Sequence, residues 1–130
     1  MTPRIPVSYG ELIDRISILE IKVKRLRAPE QRANADRELA MLLETVAGMP
    51  EPPVGLAALK SALGKVNRRL WDIEDLIRQK EASQSFDAEF IELARAVYRT
   101  NDERSRIKRE INALLRSDIV DEKQYTPYRQ

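Results

Sequence analysis

LAALKSALGKVNRRLWDIEDLIRQKE, residues 56–81, decides the fold. Leu56, Leu59, Leu63, Val66, Leu70, Ile73 and Ile77 alternate at spacings of three and four, which puts all of them on one stripe of a helix through three heptads. At 1.5 Å per residue such a helix is about 39 Å long, and it needs apolar partners along that whole length. Ala82 to Phe86 is a short polar turn, with Ser85 or Asp87 available as the next N-cap. Phe86, Phe90, Leu93, Val97, Ile107, Ile111 and Leu114 then mark a second long helix, so residues 56–116 read as one long hairpin.

Upstream, Ser8 and Glu11 fit a capping box that opens a helix from Tyr9 to Arg27. Leu12, Ile16, Leu19, Val23 and Leu26 form its stripe. Pro29 suits the first turn of the next helix, where Ala35, Leu39, Leu42, Val46 and Met49 repeat the spacing. Residues 8–48 thus predict a first hairpin, with Leu19 facing Leu39 and Ile16 facing Leu42. MPEPPVG, residues 49–55, is a stiff proline-rich connector. Residues 117–130 form a tail too poor in apolar residues to fold alone, expected to drape over the bundle through Ile119, Val120, Tyr125 and Tyr128. The expected architecture is a single all-α domain over residues 1–130, two antiparallel helical hairpins forming a four-helix bundle. The first hairpin, about 28 Å long, leaves one end of the second uncovered. Ile18 and Ile21 also give the first helix apolar surface off its stripe. Both features favour a homodimer, with the C-terminal tail folded back over that face as the alternative.

The chain of 130 residues carries 23 Lys+Arg against 21 Asp+Glu and has neither Cys nor His. Disulfides, thiolate metal sites and Cys nucleophiles are excluded, as are Ser-His-Asp triads and His-based metal centres. No stretch approaches the roughly 18 apolar residues of a membrane span, and the N-terminus has no signal-like apolar core. The expectation is a cytoplasmic protein without membrane insertion.

The last helix breaks its own pattern. After Val97 the next stripe positions are Thr100 and Arg104. In an antiparallel pairing Arg104 lies opposite Leu63 and Gly64, and the small Gly64 would make room for it. A buried guanidinium needs a partner. A carboxylate such as Asp14, Glu20 or Glu44 would complete a polar layer that fixes register. A bound anion would instead make Lys60, Asn67, Asn101, Arg104 and Lys108 a pocket between helices. A second cluster, Trp71, Glu74, Asp75 and Arg78, lies on a flank of the third helix and is a candidate interaction surface, because Trp and Arg dominate interface hot spots. In its bland reading Trp71 packs on the first hairpin and Glu74–Arg78 is an ordinary i,i+4 pair. Bases gather at the open end of the long hairpin and acids near its turn, which would let two copies align antiparallel. Nucleic-acid binding through that basic end ranks last, given the near-neutral charge and the absence of interleaved aromatics. No catalytic constellation, metal site or cofactor motif is present in the sequence.

The segments VSYGELIDRISILEIKVKRL, LWDIEDLIRQKE, FDAEFIELARAVYRTNDERSRIKREIN and DEKQYTPY resemble an uncharacterised bacterial family of small helical proteins, a domain of unknown function carrying the ELIDRISILEIK opening. The resemblance implies an intracellular helical protein, with an accessory role near cell-envelope polysaccharide synthesis. The same opening is similar in part to the first helix of the all-helical chorismate mutases, matching at Ile13, Asp14 and Arg27 and departing at Tyr9 and Ser17. That likeness implies the enzyme alternative, a small-anion-binding enzyme with an inter-helix Arg/Lys pocket. The leading expectation is a non-enzymatic interaction protein that needs no cofactor, pairs with itself and can take a protein partner.

Overall fold

The computed structural model describes residues 1–129. It consists of four helices in two hairpins: α1 (Tyr9–Arg25), α2 (Pro29–Ala47), α3 (Leu56–Ala82) and α4 (Ala88–Leu114). Each end has a local cause. The Glu11 backbone N–H donates to Ser8 Oγ at 3.0 Å and opens α1. The reciprocal half of the capping box does not form, because the Glu11 carboxylate turns to Arg15 and Lys108 instead. Leu26 leaves the helix with extended dihedrals, so α1 ends at Arg25, two residues before the expected Arg27. Proline disfavours helical geometry in the residue before it, and Ala28 is accordingly extended as the cap of α2. Gly55, at φ +103°, makes the left-handed turn into α3, a conformation that side chains resist. Of the two candidate caps for α4, Asp87 serves: its Oδ1 accepts the Phe90 N–H at 2.9 Å.

The helices pack as a bundle in which α1 is central. It touches α2, α3 and α4, whereas α2 touches α1 alone. The core gathers Ile13 of α1, Leu56, Leu63 and Val66 of α3, and Ile107 and Ile111 of α4. These are the α3 and α4 stripe residues read from spacing, joined by one α1 residue from beside its stripe. Leu12, Ile16 and Leu19 are also buried, but in α2 only Ala35 is, with Leu39, Leu42 and Val46 half-buried.

Arg25 Nη1 meets Asp72 Oδ1 at 2.7 Å, which marks the level on α3 where α1 stops. Beyond it, α3 and α4 run on for about ten residues each, or about 15 Å, without cover from the first hairpin. Leu76, Phe86, Ile91 and Tyr98 are exposed on this outer half. At the tip the Phe86 and Phe90 rings meet edge to face at 5.2 Å.

The tail does follow the bundle, running back along α4, but polar contacts place it. Ser8 Oγ donates to Asp121 Oδ2 at 2.8 Å, and the Tyr128 hydroxyl donates to Asp102 while its ring stacks edgewise on Tyr98. The four apolar side chains expected to hold it, Ile119, Val120, Tyr125 and Tyr128, stay 39–55% exposed.

Candidate functional site

Arg104 enters the bundle from α4 and finds its partner on α1. Its Nε donates to Asp14 Oδ1 at 2.9 Å and its Nη2 to Asp14 Oδ2. Asp14 is 1% exposed. Asn67 of α3 adds a third donor at 3.0 Å and bridges onward to Ser17 Oγ at 3.1 Å. Lys108 stands 3.9 Å from Asp14 Oδ2 and makes its closer contact, 2.9 Å, with Glu11. Every acceptor of the buried carboxylate is therefore matched, as a charge in low dielectric requires. The bonds to Asp14 hold the Arg104 guanidinium above its already high ordinary pKa, against the opposing effect of burial. It stays a cation at any physiological pH.

Of the three acids considered for this role, Asp14 fills it. Asn67, Asn101, Arg104 and Lys108 do converge: Arg104 Nη1 lies 3.5 Å from Asn101 Oδ1. Lys60 does not join them. It is exposed and borders a separate hollow with Ser61, Gly64, Arg68 and Glu20. Nor does Gly64 make room for Arg104. A Cβ placed there would meet Arg68 Nη1 at 3.1 Å, the next-turn neighbour on its own helix.

The close approach that needs a glycine is elsewhere, at Gly10. A Cβ on Gly10 would lie 2.7 Å from the Lys108 carbonyl oxygen, so α1 and α4 cross here backbone to backbone. The Gly10 N–H donates to Asn112 Oδ1 at 2.6 Å, which locks the crossing. A glycine in the first turn of an otherwise good helix is a visible signal for this, since it weakens the helix it sits in. Asn112 carries no such signal from spacing alone.

The two clusters named from sequence meet in one groove. Asn67 and Arg104 of the first cluster line it together with Trp71, Glu74, Asp75 and Arg78 of the second, beside apolar Ile18, Ile21 and Leu70. Its volume is about 360 Å³, within the roughly 300–1,000 Å³ of ligand-sized clefts. The reason for its place is the early end of α1. Asn67 faces α1, Trp71 stands at the level where Arg25 meets Asp72, and Glu74 and Arg78 continue the same flank of α3 beyond it. Ile18 and Ile21, the off-stripe residues of α1, complete the step. Glu74 and Arg78 form no ion pair with each other among the described residues. Trp71 is half-buried.

Chemically, the groove offers an aromatic face and aliphatic walls beside charges of both signs. That suits contact with a polypeptide. Among the described residues no group of three or more acids is placed to hold a metal ion, and no helix is long and apolar enough to cross a membrane. No curated protein and no solved structure matches the chain. The model of a family of unknown function, DUF6165, matches residues 3–129, and the chain belongs to that family.

Proposed function

We propose that this protein is a non-enzymatic helical interaction module that works as a homodimer. The uncovered outer half of the long hairpin carries this reading. Leu76 on α3 and Ile91 and Tyr98 on α4 are exposed there, and the Trp71 groove opens on another flank of α3; apolar surface of this kind is what a partner would bury. Charge selects a second copy as that partner. Glu74, Asp75 and Glu81 on the outer half are in no ion pair among the described residues, and neither are Lys22, Lys24 and Arg27 at the end of α1. Two hairpins laid antiparallel would bring each acidic tip to the other copy's basic step. The pairing is isologous, so it closes at two.

Against the enzyme alternative stands the bidentate seat of Arg104 on Asp14, which occupies the fork an anionic substrate would need. Against the nucleic-acid alternative stands the partial neutralisation of the basic end, where Glu103, Glu110 and Glu11 pair with Arg69, Arg106 and Lys108 and leave Lys60, Lys65, Arg68 and Arg109 without an ion pair among the described residues. A cytoplasmic dimer with paired grooves would fit the accessory role near envelope-polysaccharide enzymes implied by the resemblance of the sequence.

Sedimentation equilibrium tests the proposal. The wild-type chain should fit a dimer that tightens as salt is lowered. Leu76→Glu combined with Ile91→Glu should give a monomer of unchanged helicity. A wild-type chain that remains monomeric at its highest soluble concentration would sink the idea.

A further inference from the structure

The Trp71 groove holds polar capacity that the bundle does not use. Asn67 lines it and is 4% exposed. Its Nδ2 donates to Asp14 and Ser17, which fixes the orientation of the amide, since flipping it would set its oxygen against the carboxylate. Its Oδ1 is left over and accepts from nothing among the described residues. That oxygen is not sealed in: the one fully buried side-chain atom without a partner among those residues is Asn112 Nδ2. A nearly buried carbonyl oxygen at the edge of a groove calls for a donor from outside.

Two charges of the same lining are also unused. Glu74 is half-buried, and Arg78 stands one turn further along the same flank of α3, yet neither is in an ion pair among the described residues. The remaining charges are engaged: Arg104 grips Asp14, and Asp75 accepts from Gln79 at 3.2 Å. An arriving molecule therefore meets one free carboxylate, one free guanidinium and one free carbonyl oxygen beside apolar walls. A guest of a single charge would match one of the two ions and oppose the other. A guest that carries both signs on an apolar body matches all of it.

We propose that this groove binds a free apolar α-amino acid in its zwitterionic form. The ammonium faces Glu74 and the Asn67 oxygen, the carboxylate accepts from Arg78, and the side chain lies against Trp71, Ile18 and Ile21. Both polar contacts are charge-assisted, which sets them above neutral hydrogen bonds. A volume of about 360 Å³ suits a body of leucine size, not a folded segment. The site opens on a different flank of α3 from exposed Leu76 and does not rest on the pairing of two copies.

L-Leucine, which does not fluoresce, is the probe, titrated into the full chain at one fixed protein concentration. Trp71 is the only tryptophan, so its fluorescence reports the groove directly and should change saturably. Leucine methyl ester keeps the ammonium and loses the carboxylate, whereas N-acetyl-leucine does the reverse. Each should bind about tenfold more weakly, or worse, than L-leucine. Glu74→Gln and Arg78→Gln remove charges that no ion pair uses, so helicity should not change while L-leucine binding falls about tenfold in each. Absence of a saturable change overturns the proposal. So does binding of either single-charge analogue as tightly as L-leucine, or undiminished binding by either variant.

Discussion

Replacing Asp14 by Asn keeps the shape of the side chain and removes the charge that Arg104 was brought inside to meet. The carboxylate is 1% exposed and accepts from Arg104 Nε, Arg104 Nη2 and Asn67. Breaking a fully buried pair from one side costs about 3–5 kcal/mol, because the remaining charge is stranded. Here the Arg104 side chain keeps 27% of its surface and can reach water, so the lower part of that range applies, about 3 kcal/mol. Asp14→Leu combined with Arg104→Met removes both charges together. Asn67 would still hold Ser17, and the double variant should lose much less than the sum of its singles, with a coupling of about 2 kcal/mol. Urea unfolding at one fixed protein concentration measures these differences. Far-UV circular dichroism and the fluorescence of Trp71 serve as two independent probes of a single transition. Should Asp14→Asn cost less than about 1 kcal/mol, or the double variant equal the sum, the pair would not be a buried, mutually dependent unit.

The two helical glycines should respond in opposite directions. Gly64→Ala should stabilise by about 0.5–1 kcal/mol, since only the mobile end of Arg68 has to move. Gly10→Ala should destabilise by about 1–3 kcal/mol through the 2.7 Å approach to the Lys108 carbonyl, and the same urea titrations compare them. Asp87 is held at a pKa of about 2, below its ordinary 3.8, first by Lys80 and then by the Phe90 N–H. Its contribution is present above pH 3.8 and is lost as pH falls toward 2, so Asp87→Asn, which still caps α4, should flatten the acid limb of thermal stability in that window. Tyr128→Phe removes the hydroxyl that reaches Asp102, and limited proteolysis should then cut the tail faster while α4 remains intact.

Much of this could be read from spacing. The stripes of all four helices and the polar layer at Arg104 follow from residues three and four apart, the α4 cap is narrowed to Ser85 or Asp87, and Asp14 is one of the acids able to close that layer. What spacing does not carry is how the stripes are shared out. An apolar stripe on α2 says that something covers it, not that α1 alone does. Gly64 illustrates a different limit: the antiparallel pairing sets it opposite Arg104, but the large side chain beside it comes from Arg68, one turn away. The groove needed the end point of α1, which Leu26 sets by leaving the helix with extended dihedrals, and the meeting of Arg25 with Asp72 across the bundle. Asn112 and Gly10 meet across 102 positions of sequence, and no local pattern announces that contact.

That long separation has a consequence for how the chain is made. During synthesis α1 emerges first, and α2 can cover its stripe almost at once. Asp14, Gly10 and Ile13 face partners on α3 and α4 that appear only after most of the chain has left the ribosome. At about 5–20 residues per second the wait is some seconds, during which Asp14 remains hydrated and Ile13 has nothing to pack against. The α1–α2 hairpin is thus a half-finished piece whose second face is completed by the last helix to arrive. Slowing translation after α2, or releasing a chain that lacks α4, should present that face to chaperones in place of α4.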